Sequence, residues 1–256
     1  MVPKIDVIAC LSDNYAYLLR DEESGAAVVI DAPEAAPILA AVEASGGRLD
    51  ALLLTHHHGD HIEGAAEITK RTGARLIGAA ADAHRLPPLG QAVADDESFS
   101  VGPFGFRVIA TPGHTRGHIV YYAPAARALF SGDTLFSLGC GRLFEGSAQD
   151  MWESLLRIAA LPPETSVYPG HEYTASNGRF ALAVDPANAA LAERLSEVEA
   201  LRGAGQPTVP VTLKRELLTN PFLRAGDPRL AENLGFSGHP AVEVFAELRR
   251  RKDTFK

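Results

Sequence analysis

The residues most able to do chemistry crowd into one run, Thr55-His56-His57-His58-Gly59-Asp60-His61, which contains a His-x-His-x-Asp-His pattern. The run follows an apolar segment at 51–54. If the chain leaves that segment extended, side chains two apart point the same way, so His56 and His58 converge while His57 turns aside. Asp60 and His61 then come from the next turn. Imidazole and carboxylate suit zinc, iron or manganese, and the run holds more ligands than one catalytic metal with an open position would take. A second metal is therefore expected. The bland alternative is a histidine-rich surface turn; an expression tag is a poor fit, because the cluster is internal and interrupted by Gly59 and Asp60.

Three further groups follow apolar, strand-like runs, where functional loops gather. They are Thr111-Pro112-Gly113-His114-Thr115-Arg116-Gly117-His118, then Ser131-Gly132-Asp133-Thr134, then Tyr168-Pro169-Gly170-His171-Glu172-Tyr173. Taken singly, His114, Asp133 and His171 are as readily structural as functional. Taken together with the first run they make seven candidate ligands in two sets. His56, His58 and His114 would hold one metal, Asp60, His61 and His171 the other, and Asp133 could bridge. Two such metals can clamp a hydroxide and polarise a carbonyl, which is the equipment of a hydrolase. His57 and His118 read as packing or orienting residues, and Asp31, at a strand end, as a hydrogen-bond partner for a ligand histidine or as a helix N-cap. Cys140 reads as packing between Gly139 and Gly141 rather than as a nucleophile, since no base is identifiable beside it.

The elements that must position these groups read as follows. Short apolar strands are expected at 5–9, 16–19, 27–30, 52–54, 74–77, 106–110, 119–122, 128–130 and 166–168. Helices are expected from Pro33 to near Gly46-Gly47, from about Asp60 to Thr72, and over 147–161, where Pro162-Pro163 stops the chain. From Thr174 onward the texture becomes helical, with Leu191, Leu195, Val198 and Leu201 at helical spacing and further helical segments at about 212–218 and 240–250.

The motif set resembles the metallo-β-lactamase superfamily and, within it, the glyoxalase II (hydroxyacylglutathione hydrolase) family. The family likeness rests on Gly139-Cys140-Gly141-Arg142-Leu143-Phe144-Glu145-Gly146, on Leu213-Lys214-Arg215-Glu216, on Asn220-Pro221-Phe222-Leu223-Arg224 and on the closing Arg250-Arg251-Lys252-Asp253-Thr254-Phe255. The resemblance implies an α+β, four-layer αββα metallo-β-lactamase fold with a C-terminal α-helical domain. It implies a catalytic domain at 1–173 and a helical substrate-binding domain at 174–256. It implies a binuclear thioesterase that hydrolyses S-D-lactoylglutathione to D-lactate and glutathione, with two divalent metal ions per chain, zinc first and iron or manganese also suited. Asp60 and Asp133 would be the catalytic carboxylates of that centre, and Arg142, Phe144, Tyr173, Arg249 and Lys252 would meet the glutathione moiety. Many members carry Lys and Tyr where this chain has Arg142 and Phe144, and a bulkier residue where it has Gly59. The basic run Arg249 to Lys252 also suits a small dianionic substrate on charge alone; a solvated helix end is its bland alternative. Other readings are a mononuclear iron persulfide dioxygenase on the same fold and a non-catalytic metal-binding module.

Composition narrows the classes. With 256 residues, 46% of them hydrophobic, the chain can bury a substantial core. Asp and Glu number 32 against 24 Lys and Arg, and the net charge of −8 argues against nucleic acid or an anionic membrane as partner. Two cysteines, Cys10 and Cys140, are too few for a disulfide framework and point to a reducing compartment. No run approaches the roughly 20 apolar residues of a membrane span, and the first residues lack the apolar core of a signal peptide. A cytoplasmic monomer acting on a small glutathione thioester is expected.

Overall fold

The computed structural model describes residues 3–255. Met1, Val2 and Lys256, on which the leader reading and the outer domain limits partly fall, lie outside the described residues. The chain forms two compact units: one runs up to Ala110 and includes Arg116–Gly132, the other holds Thr111–Thr115 and everything described from Asp133 onward.

The first unit is built from β1 (Lys4–Cys10), β2 (Asn14–Arg20), β3 (Ala27–Ile30), α1 (Ala35–Ala44), β4 (Ala51–Leu53), α2 (Gly59–Ile62), α3 (Ala65–Thr72), β5 (Arg75–Ala79), β6 (Gln91–Val93), β7 (Ser98–Val101), β8 (Phe104–Ala110), β9 (Ile119–Ala123) and β10 (Ala128–Gly132). β1 to β6 form a sheet in sequence order. Its first three strands are antiparallel, and β3, β4, β5 and β6 run parallel. Parallel neighbours need crossovers: α1 supplies the one from β3 to β4, the α2–α3 segment the one from β4 to β5, and the connection over 80–90 the one from β5 to β6. Strand β4 is wholly buried, which is why it reads as a continuous apolar run.

The spacing of Ala35, Ile38, Leu39 and Val42 gives α1 one buried stripe. That stripe packs on Ile8, Leu18, Val29, Leu52 and Ile68. On the other face stand β7 to β10, paired antiparallel in order. Tyr17 and Phe130 meet at 5.7 Å between the sheets, and the fully buried Tyr121 hydroxyl donates to Leu54 O at 2.9 Å. The register of β3 with β4 pairs Ile30 with Leu53, so Asp31 and Thr55 emerge side by side at the carboxyl ends of two parallel strands. Ligand sites of open α/β sheets gather at such ends.

The second unit contains β11 (Leu135–Phe136) and β12 (Gly139–Cys140), a two-stranded ribbon, then α4 (Ala148–Ala159), β13 (Ser166–Pro169), α5 (Thr174–Val184), α6 (Ala189–Gly203), β14 (Val211–Thr212), α7 (Leu213–Thr219), α8 (Pro228–Leu234) and α9 (Ala241–Thr254). Ser147 and Asp150 close a reciprocal capping box on α4. The helices share an aromatic core in which Phe222 stacks on Phe180 at 5.9 Å and meets Phe245 edge-on at 5.9 Å, with Trp152 of α4 against Phe245 at 6.0 Å.

The structure corrects the expected elements in three places. The helix expected from Asp60 to Thr72 is broken into α2 and α3 at Glu63-Gly64. Gly64 lies against the backbone of the β3–α1 connection, where an added Cβ would meet Ala35 N and Glu34 C at 2.8 Å. The helix expected from Pro33 begins at Ala35. Strands β6, β7, β11, β12 and β14 and helix α8 were not expected, being too short or too polar to show a period.

Candidate metal centre

In the first unit the histidine run is held by Asp31. Its carboxylate accepts from Thr55 N at 2.8 Å, from Thr55 Oγ1 at 2.9 Å and from His61 Nδ1 at 2.8 Å. Asp31 itself adopts a left-handed φ of 58° while almost fully buried. A non-glycine residue holds that conformation only where its surroundings over-determine it, and Asp and Asn tolerate it best. Thr55 Oγ1, already donating to Asp31, lies 3.1 Å from His56 Nδ1 and so accepts its hydrogen. Asn14 Nδ2 donates to Asp60 O at 3.0 Å and to Asp60 Oδ2 at 3.1 Å. His57 points elsewhere, donating from Nδ1 to Asp82 Oδ2 at 2.9 Å. Asp82 is fully buried and also accepts from Arg85 Nε at 2.5 Å. His118 stacks on the His56 ring at 4.7 Å and 26°, tucked against Gly132, where a Cβ would come within 2.8 Å of His118 Nε2 and 2.7 Å of Thr55 Oγ1.

In the second unit His114 Nδ1 donates to the carbonyl of Arg142 at 2.8 Å. Asp133 Oδ2 lies 3.4 Å from both His114 Nε2 and His171 Nε2. Gly141 passes so close to Asp133 that an added Cβ would sit 1.9 Å from Asp133 O. His171 is sandwiched: Tyr173 stacks on it at 4.6 Å and 7°, and Phe136 meets it edge-on at 5.9 Å.

Among the described residues, three groups offer ligand atoms that all lie within 4.8 Å of one another: His56, His58 and His114; His56, His61 and Asp133; Asp60, His61 and His171. These His and Asp clusters are consistent with a binuclear metal site. The donor chemistry fits a metal. His114 gives its Nδ1 hydrogen to a carbonyl and His61 to a carboxylate, so each presents the lone pair of Nε2. His56 does the same through Thr55, and its Nε2 faces His58 Nδ1 at 3.1 Å. Converging lone pairs and carboxylates are a set of acceptors, which a divalent cation satisfies.

The expected substrate residues lie in the second unit, which also holds His114, Asp133 and His171. Arg249 is buried; it donates to Cys140 O at 2.9 Å and pairs with Asp253 at 2.8 Å. Arg142 Nε lies 3.4 Å from the same Asp253 oxygen. Lys252 stands over the Phe180 and Phe255 rings at 5.8 and 5.9 Å, with Nζ 3.3 Å from Ser176 Oγ. Phe144 is 61% exposed with its ring 5.2 Å from His114, and Tyr173 is 37% exposed. Arg250 and Arg251, which the sequence places in the same basic run, are instead both engaged by Glu247, at 2.7 Å each. Cys140 is buried and burial pushes its thiol up to about 11, so it is an inert packing residue.

Sequence reasoning missed Asn14, Asp82, Glu216 and Asn220. Asn14 and Asp82 lie in short polar stretches that look like any turn, and Glu216 in Leu213-Lys214-Arg215-Glu216 looks like an ordinary solvated helix charge.

The chain matches the metallo-beta-lactamase superfamily over residues 12–171 and the hydroxyacylglutathione hydrolase C-terminus over residues 172–255. The chain belongs to the hydroxyacylglutathione hydrolase (glyoxalase II) family of that superfamily. It is similar to the hydroxyacylglutathione hydrolase of Methylococcus capsulatus, 53% identical over 97% of this chain and 97% of that protein. It is 52% identical to that of Rhodobacter capsulatus over 100% of both. Among solved structures, TTHA1623 in a di-iron-bound form aligns with a TM-score of 0.62 and 27% identity, covering 86% of this chain and 100% of that one. The metallo-β-lactamase fold with a C-terminal helical region, expected from the motifs, is thus the fold of this chain.

Proposed function

We propose that this protein hydrolyses 2-hydroxyacylglutathione thioesters, S-D-lactoylglutathione foremost, to the hydroxy acid and glutathione, the second step of methylglyoxal detoxification. The observation that carries the reading is the identity to hydroxyacylglutathione hydrolases along the whole chain, C-terminal helices included.

His56, His58 and His114 would hold one divalent ion and Asp60, His61 and His171 the other, with Asp133 as a ligand available to both; the converging ligand atoms support this division. Ions held there would supply a water of near-neutral pKa and a polarised thioester carbonyl. Asp31 and the Arg142 carbonyl fix ring tautomers so that Nε2 faces the centre. Arg142, Arg249 and Lys252 neutralise the substrate carboxylates, while Tyr173 and Phe144, whose rings lie against His171 and His114, meet the glutathione moiety. A thiolate leaves readily, so no side chain has to act as general acid.

Zinc is the first choice for a histidine and carboxylate set, and the di-iron form of a structural relative keeps iron in view. The catalytic part spans 1–173 and the substrate-binding part 174–256, a division the two family matches support. Cys10 and Cys140 are free thiols, which supports a reducing, cytoplasmic compartment, and no described helix is long and apolar enough to cross a membrane.

The test is a steady-state assay with S-D-lactoylglutathione on protein whose metals have been counted. Turnover with two metals per chain is expected. Oxygen uptake with glutathione persulfide and no thioester hydrolysis would overturn the reading.

A further inference from the structure

One buried carboxylate has no part in the metal chemistry. Glu216 on α7 is fully buried, although its neighbours Lys214 and Arg215 are not. Both of its oxygens are spent on the ribbon turn and on its own helix. Oε1 accepts from Ser137 Oγ at 3.0 Å, and Oε2 accepts from Leu138 N at 2.8 Å and from Asn220 Nδ2 at 2.9 Å. Asn220, one helical turn on, also donates to Phe136 O at 3.2 Å and Gly139 O at 3.0 Å. Two side chains of α7 thus hold residues 136–139, the whole turn between β11 and β12.

The turn needs holding. Leu138 has a φ of 60°, a left-handed conformation that a branched side chain adopts at a cost. A free-standing two-residue hairpin would place Gly or Asn there. Here Leu138 instead buries its side chain with Ala181, Leu191 and Leu195, and Glu216 takes its N–H.

What the turn carries is the substrate side of the site. The ribbon begins just after Asp133-Thr134. Phe136 contacts His171 and Tyr173, at 5.9 and 5.3 Å. Cys140 O anchors the Arg249 guanidinium, and Arg142 follows two residues later and shares Asp253 with Arg249.

We propose that Glu216, assisted by Asn220, is a positioning residue for glutathione recognition: by fixing the β11–β12 turn it sets Cys140 O and Arg142 so that the Arg142 and Arg249 guanidinium groups are spaced for the two carboxylates of the glutathione moiety. The proposal rests on the thioesterase reading above. In Glu216→Gln the amide oxygen can accept from Leu138 N and Asn220 Nδ2 while the amide nitrogen donates to Ser137 Oγ, so this variant is expected to keep the fold.

The experiment compares wild type, Glu216→Ala and Glu216→Gln, each with metals counted. The substrates are S-D-lactoylglutathione and a D-lactoyl thioester of a small uncharged thiol. S-methylglutathione serves as a competitive probe of binding. Glu216→Ala is expected to raise KM for lactoylglutathione and the inhibition constant of S-methylglutathione on the order of tenfold, with kcat and the small thioester changed by less than about threefold. Glu216→Gln is expected to restore most of the binding. Unchanged KM in Glu216→Ala, or an equal loss on both substrates, overturns the positioning role. If Glu216→Ala does not fold, Asn220→Ala takes its place with the same expectation. A wild type that neither hydrolyses lactoylglutathione nor binds S-methylglutathione removes the thioesterase reading itself, an outcome distinct from normal wild-type turnover with unmoved variants.

Discussion

Asp31 Oδ2 accepts the Nδ1 hydrogen of His61 at 2.8 Å from a backbone held at a φ of 58°. The same carboxylate takes the N–H and hydroxyl of Thr55, so one residue orients His61 directly and His56 through Thr55. Asp31→Asn retains tolerance of the left-handed backbone but presents one acceptor where Asp presents two. Metal affinity is expected to fall on the order of 10–100-fold, the usual effect of removing a partner behind a ligand histidine. Chelator competition measures it; wild-type affinity in the variant would remove Asp31 from the centre.

Two glycines separate function from mere tolerance. At Gly141 an added Cβ would overlap Asp133 O at 1.9 Å, so Gly141→Ala must displace the Asp133 backbone. Loss of bound metal and of turnover is expected. Gly203, the last residue of α6, has nothing within 4 Å of the same added atom, and Gly203→Ala should stabilise by roughly 0.5 kcal/mol. Metal analysis and thermal melting on the pair check both; full metal occupancy in Gly141→Ala contradicts the first.

How much of this was legible in sequence follows from the range of the interactions. The candidate ligands are legible because their runs follow strand ends, and the extended reading of the chain after β4 separates His56 and His58 from His57, which turns to Asp82. The break at Gly64 was not, because the clash that requires glycine comes from residues 32–35, on the far side of a crossover. The β11–β12 ribbon has two residues per strand, too few for a period, and Glu216 meets it from 78 residues away along the chain. The basic run Arg249 to Lys252 looks uniform in sequence, but Glu247, three and four residues back, engages Arg250 and Arg251.

His57 tests the alternation argument directly. It donates to the fully buried Asp82, which Arg85 also meets. His57→Ala is expected to keep both metals while costing about 1–3 kcal/mol, because a buried acceptor loses one donor. His58→Ala is expected to lose one metal with less effect on the fold. Elemental analysis beside urea unfolding distinguishes them, and loss of a metal in His57→Ala would contradict the assignment.

Lys252 gives the pH dependence. Burial, then the Arg249 and Arg179 cations, hold its ammonium below the ordinary lysine value. The ammonium gives up its proton more readily in the free protein, so the cation disappears at a lower pH than for a lysine in water. The unfolded chain binds that proton more tightly, so the cost this lysine imposes on stability is relieved as pH rises through the window between the lowered and ordinary values. Binding of an anionic substrate runs the other way, since only the ammonium attracts carboxylate. The kcat/KM for lactoylglutathione should therefore fall on an alkaline limb that begins below the ordinary lysine range, carried by KM, because a bound carboxylate restores the proton in the complex. Lys252→Arg should push that limb to higher pH, and Lys252→Met should raise KM throughout and erase it. An identical limb in Lys252→Met would assign the titration to another group.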